Sequence, residues 1–447
     1  PANSINLTFN YGSLPDNATY IPAYYNYSTI SYTPINDVTK VDEASNNILF
    51  TGVSYFNGDF TAGVPAAFGV VVPFYSRSNG SWNTPSTWSN NTVLKHAGAA
   101  SALVPASNSP VFIGDGTTYF HSITVPNNNT VSGSLIVDAG STLDLGSTTG
   151  NNFGALPYST AGGAGRIRIS SNTPTAEFPA GDFGLFFTIE GGTTEYYSGA
   201  TAFTIPQISA APTGMQIRSY RNLILNPSAS SSVTFPDRDL EIYENVTVNG
   251  NAAGIAAMNS TSAKSLTIHG NLDATSGSLQ FGSSAAQSVL VEGNITVGIN
   301  GELSVLNAGS TAHNISLYGN LTNNGTVNLN QASDVNILFT GDVSKSITGT
   351  NAAATTSLSK ITVNKGNSAA TLLNVDVQGT LIAPTNNWLT LTNGTFRLSK
   401  SATITLTDLA STDFLVPATS ALSLNHVGAV VNTCMANDNA TDFILAG

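Results

Sequence analysis

Acids, imidazoles and a pair of indoles are the residues of this chain that could do chemistry. Hydrolysis of a glycoside needs two or three carboxylates a few ångströms apart, and polysaccharide elimination needs acidic calcium ligands beside a Lys or Arg base. The acids of the most regular stretch, Glu241, Asp273, Glu292, Glu302 and Asp334, fall in different slots of its repeat, with Lys264 and Lys345 standing alone. They read as solvated surface residues. The five histidines, His96, His121, His269, His313 and His426, show no metal-ligand spacing. No G-x-S-x-G elbow marks a serine nucleophile. Asp115 in "GDGTTY" could touch calcium, but Gly-Asp-Gly is first of all a turn. No catalytic residue, metal site or cofactor site is assigned, and the chain is read as a non-enzyme.

The indoles are different. "SRSNGSWNTPSTWSNN" (76–91) carries Trp82 and Trp88 among Ser, Asn, Thr and Pro. Six residues apart, they share a face of an extended segment. Exposed, they would make a sugar platform; buried, they would cover the open end of an apolar core. Their place just before the regular part of the chain favours the cap.

The elements that would position all these residues are written in a repeat. "LEIYENVTV", "LTIHGNLDA", "VLVEGNITV", "ISLYGNLTN" and "ILFTGDVSK" are centred on Glu244, Gly270, Gly293, Gly319 and Gly341, at intervals of 26, 23, 26 and 22 residues. Four before each centre stand Leu240, Leu266, Val289, Ile315 and Ile337. Two before stand Ile242, Ile268, Val291, Leu317 and Phe339, and two after stand Val246, Leu272, Ile295, Leu321 and Val343. A spacing of two is the period of a strand with one buried face. A weaker strand follows each Gly turn in "GSLQF", "GELSVL" and "GTVNL". A unit of this size cannot bury its own apolar face, so the units must stack, like upon like, about 4.8 Å apart, as coils of a parallel β-solenoid. By precedent it is right-handed. Asn245, Asn271, Asn294, Asn320 and Asp342, each just after a centre, would form a ladder of side chains along the axis. Three of these asparagines also spell glycosylation sequons, which an Asn turn before a Thr-containing strand writes by itself.

The pattern extends to Leu135, Val137, Leu143 and Leu145 upstream and to Val375, Val377 and Leu381 around Gly379 downstream. Coils are therefore expected over 71–447, about fifteen at ~24 residues each, a rod near ~70 Å long capped around 76–91. Residues 1–70 lack the repeat, are rich in Tyr and hold short strand-like runs, which predicts a small β-sandwich-like segment, with 61–73 as linker. The fold class is all-β.

Composition narrows the partners. The 447 residues include 26 acidic and 14 basic ones, a net charge of −12, and only 9% are charged while 41% are apolar. Regular apolar positions exclude disorder. The negative balance repels nucleic acid and anionic lipid, and no apolar run reaches the length of a membrane span. The one cysteine, Cys434, excludes an internal disulfide framework and reads as a small buried hydrophobe. With no initiator Met, no signal segment and no sorting tail, the sequence is expected to be a piece of something longer.

The ordered phrases "DFTAGVPAAFGVVVPFYSRSNGSWNTPSTWS", "VFIGDGTTYFHSITVPNNNTVSGSLIVDAGSTLDLGSTTGNNFG", "FPAGDFG", "IEGGTTEYYSG" and "RNLILN" resemble large secreted surface proteins of the Bacteroidota exported by type IX secretion. The resemblance covers roughly residues 50–350. It implies a segment of an adhesin or cell-surface filament, secreted to the cell surface, whose partners are other copies or other parts of a fibre, and surface glycans. It hands over no catalytic residue. The reading is a structural and adhesive β-solenoid stalk. A carbohydrate-binding β-helix module, with Tyr196, Tyr197, Tyr243 and Tyr318 as an aromatic row, is the alternative, and a polysaccharide lyase or hydrolase comes third.

Overall fold

Stacking of the predicted columns is the fold's organising fact. The computed structural model describes residues 72–154, 161–199, 201–229, 231–384, 388–406 and 414–432, together with strands at 5–10, 21–26, 31–34, 41–42, 47–53, 58–63 and 443–445. From Phe74 onward nearly every strand pairs in parallel with the strand one coil away, and the coils build a β-solenoid of about 12 turns. Among the described residues the only helical pieces are short 3-10 turns such as Pro85–Thr87 and Leu185–Phe187.

Each regular coil has three faces. The first carries Leu240–Ile242, Lys264–Ile268, Gln287–Val291, Ala312–Leu317, Asp334–Phe339 and Ile361–Asn364. Here Ile242 pairs with Ile268, Ile268 with Val291, Val291 with Leu317, Leu317 with Phe339 and Phe339 with Val363, an unbroken column with every member fully buried. Leu240, Leu266, Val289, Ile315, Ile337 and Ile361 form a second column two residues away. Burial of each such side chain contributes roughly 1.5–3 kcal/mol, available only because a neighbouring coil covers it. The second face begins after a corner, at Val246–Asn249, Leu272–Phe281 and Ile295–Val305. These last two strands bend through irregular register at Ala274/Ser276 and continue as the third face, where Ser278–Phe281 and Glu302–Val305 stack. The nonapeptide repeat is therefore two strands on two faces, divided at its central Gly-Asn.

Two expectations change. The column after the corner runs Val246, Leu272, Ile295, Leu321 and then Ile347, not Val343, which is 64% exposed. The turn at Gly341 takes four more residues than its predecessors. The coils are also fewer than fifteen because several are long. Gly80 pairs with Ile123, so the first coil takes 43 residues, and later coils such as Thr193 to Asn222 take 29. At about 4.8 Å per rung the stack is roughly 55 Å long.

The described strands of 1–70 pair antiparallel. Ile5–Asn10 and Val41–Asp42 flank Asn47–Val53, and Ser31–Pro34 and Gly58–Gly63 flank Ile21–Asn26. Residues 64–71 of the expected linker, and Cys434, lie outside the described residues.

Candidate functional site

The corner between the first and second faces holds most of the residues singled out in the sequence. At Gly270 the backbone N–H donates to the Glu244 carbonyl at 2.8 Å, and Gly293 donates to the Gly270 carbonyl at 2.9 Å. A Cβ at Gly293 would sit 2.4 Å from that oxygen, and one at Gly319 would sit 1.9 Å from the Gly293 oxygen. Glycine is required at this corner by the closeness of the coil beneath, since neither residue has a positive φ. Gly341 is glycine for another reason: its φ is +88°.

The asparagine ladder forms and is longer at one end than expected. Asn222 Oδ1 accepts the backbone N–H of Asn245 at 3.1 Å, Asn245 Oδ1 that of Asn271 at 2.9 Å, Asn271 Oδ1 that of Asn294 at 2.8 Å, and Asn294 Oδ1 that of Asn320 at 2.9 Å. Each amide thus satisfies a corner N–H that the sheets leave unpaired. Ser346, not Asp342, follows Asn320, because the longer Gly341 turn pushes Asp342 out to solvent.

Trp82 and Trp88 are buried at 2% and 0% exposure, edge to face at 5.3 Å, with the Trp88 indole N–H donating to the Trp82 carbonyl at 2.8 Å. They offer no platform to a sugar. A 3-10 turn at Pro85–Thr87 separates them, so they do not share one extended strand. Trp88 lies on Trp88–Ser89, an antiparallel strand at the outer edge of the sheet begun by Phe74–Ser76. Trp388 is likewise buried, against Phe396.

Most of the acids remain apart, with one exception. His269 Nε2 meets Glu241 at 3.0 Å and its Nδ1 meets Glu292 at 3.0 Å, with Tyr243 stacked alongside. These hydrogen bonds, Glu241's first, raise the imidazole's pKa. The carboxylates sit on opposite nitrogens of one ring, so they cannot share a metal with it. A second network joins Arg168 to Asp144 at 2.7 Å and to Glu195 at 3.0 Å, with Arg166 also on Glu195 and Tyr197 donating to Asp144. Asn226 also donates to Glu195 and the Gly146 N–H to Asp144, so both carboxylates are held by donors of the coils around them. Lys365 is fully buried, its ammonium donating to the Thr340 carbonyl, and burial pushes its pKa down to about 8. A lowered lysine can serve catalysis, but this one faces a backbone oxygen inside the stack.

Asp115 spends one carboxylate oxygen on the N–H groups of Thr117, Thr118 and Tyr119, which hold its pKa far below the usual carboxylate range. It closes a turn. That turn, however, borders a feature that sequence reasoning missed. Tyr75, Val93, Leu94, Lys95, His96, Phe112, Tyr119 and Asp138 line an open cavity of about 480 Å³. Tyr75 and Phe112 occupy one outward row of adjacent rungs and stack at 5.1 Å; His96 stands edge-on to Tyr75 at 5.5 Å and stacks on Tyr119 at 5.6 Å. Beneath, Ser76 ties the imidazoles together, its carbonyl on His96 Nδ1 and its hydroxyl on His121 Nδ1 at 2.8 Å. Ser76 is fully buried, so this Ser-His contact serves the wall and not a nucleophile. No sequence signal marked the pair: His96 and His121 lie 25 residues apart within a first coil of 43, so the coil period does not bring them together.

Tyr196 is buried and bonded to Tyr220, Tyr197 is covered by Arg168 at 4.4 Å, and Tyr243 is covered by His269, which leaves Tyr318 alone at 44% exposure. The expected aromatic row does not form. Among the described residues no helix is long and apolar enough to cross a membrane. No family model matches the chain, and neither a curated protein nor a solved structure is found to be similar to it.

Proposed function

We propose that this chain is a rigid, non-catalytic β-solenoid stalk, a structural and adhesive segment of a large extracellular surface protein. The observation that carries the reading is the continuous column from Ile242 to Val363, paired coil on coil without a slip. A core continuous along the axis resists bending, because any kink opens several rungs of hydrogen bonds at once. The chain's polar atoms support the same reading: ladder amides, the Arg168 network and His269 are all engaged in holding coil to coil. Export through type IX secretion and assembly with other parts of a fibre follow from the sequence resemblance, and belong to the proposal.

The test has two arms. Antibody raised against residues 72–432 should decorate intact source cells from outside, and purified protein should release no fragments from a panel of neutral and acidic polysaccharides. Measurable cleavage, or labelling only after lysis, would overturn the stalk reading.

A further inference from the structure

The cavity beside the first coil is a recess whose chemistry is left open. Its walls are built by topology: the 43-residue first coil leaves the solenoid after Trp88 and folds back as 90–98, against the outward row of Tyr75 and Phe112. Asn91 fixes that return, its side-chain oxygen accepting the N–H groups of Val93 and Leu94 at 2.9 and 2.7 Å. Lys95 follows at φ +47°, a conformation that a non-glycine residue adopts only under constraint. Val93 and Leu94 stand at the rim, 73% and 57% exposed. Solvent-exposed aliphatics beside aromatic walls are an apolar surface waiting for cover.

The polar groups are equally unoccupied. Among the described residues, the hydroxyls of Tyr75 and Tyr119, the ammonium of Lys95 and the carboxylate of Asp138 have no hydrogen-bond partner, and Asp115, also on the wall, commits one carboxylate oxygen to its turn and keeps the other free. Asp138 is half-buried, and desolvation raises its pKa, as expected of a carboxylate lacking the donors it needs. A site with angled aromatic rings, the free carboxylate of Asp138, the outer oxygen of Asp115 and one free ammonium suits a neutral ligand with an apolar face and several hydroxyls. A quaternary ammonium would be met by Lys95, and an anion by Asp138.

We propose that the cavity formed by Tyr75, Phe112, Tyr119, Lys95 and Asp138 binds a single neutral pyranose, such as the terminal residue of a surface glycan. The ring's C–H face lies on an aromatic wall, and its hydroxyls donate to Asp138 and accept from Lys95, charge-assisted bonds stronger than neutral ones. The volume of about 480 Å³ falls in the range of small-ligand sites and exceeds one sugar, leaving room for the glycan to continue outward. This site does not depend on the stalk reading, since a rod with or without it remains a rod.

Saturation-transfer NMR and calorimetry on the whole chain, with the methyl glycosides of glucose, galactose, mannose and N-acetylglucosamine, test it, with choline and glucuronate as charged counter-probes. At least one neutral glycoside should bind with a Kd of roughly 1 mM, the weak range expected of a single sugar on an open site. Asp138→Asn and Tyr119→Ala should each weaken it at least ten-fold, and Tyr318→Ala should leave it unchanged. If Tyr119→Ala fails to fold, the nearly isosteric Asp138→Asn decides alone. No binding by any neutral glycoside, equal binding by the Asp138 variant, or preference for choline or glucuronate would overturn the proposal.

Discussion

Gly293 shows how little room the stack allows a single atom. A methyl group there would lie 2.4 Å from the Gly270 oxygen, so Gly293→Ala must push two coils apart and is expected to cost about 2–4 kcal/mol in urea unfolding. Gly199→Ala, where a Cβ meets nothing within 4 Å, should change stability by less than ~0.5 kcal/mol. His269 predicts a pH dependence of known sign. Glu241 and Glu292 raise its pKa, so its contribution is fully present below the ordinary imidazole value and is lost as pH rises through the raised one. Because the side chain is about a third exposed, the effect should be under ~1 kcal/mol. His313 works the other way. Buried, its Nδ1 accepts the Gln287 N–H and its Nε2 donates to the Gly282 carbonyl, and burial lowers its pKa. The wild type compared with His269→Gln, between about pH 5 and pH 8, isolates the first effect: the stability difference between the two should shrink as pH rises, and a constant difference would contradict the assignment.

The individual coil was legible wherever its period was intact. Fourteen of the fifteen apolar slots read from the sequence are strand positions in the predicted columns; Val343 is not. The miss is instructive, because Val343 and Ile347 have the same parity and nothing in a period of two distinguishes them. Only the length of the Gly341 turn does. The cavity was illegible for a related reason: Tyr75 and Phe112 touch across 37 residues, an interval outside the 22–26 of the regular coils. Columns and ladder make separate predictions. Leu317→Ala should cost about 2–5 kcal/mol, since rigid neighbours above and below cannot collapse into the gap. Asn294→Ala leaves the Asn320 N–H without its acceptor and should cost about 1–2 kcal/mol, less than the core change because water reaches this corner. Thermal or urea unfolding of both variants checks the order; a ladder variant as damaging as the core variant would mean that the amides carry more of the stack than their hydrogen bonds allow.

At the scale of the whole molecule, one outward row of the second face serves as a ruler. Thr247, Asp273, Thr296, Thr322, Thr348 and Asp376 are paired partners on successive coils. Spacing along this row depends on neither the ligand nor the place of export, only on whether the chain stacks as described. Spin labels at Thr247 paired with Thr322, Thr348 or Asp376, in a Cys434→Ser background, turn it into a distance measurement by electron-electron resonance. The separations should rise linearly, about 14, 19 and 24 Å, one rung of about 4.8 Å per coil. Distances that fail to grow by a constant step with coil number would contradict the solenoid, and with it the stalk.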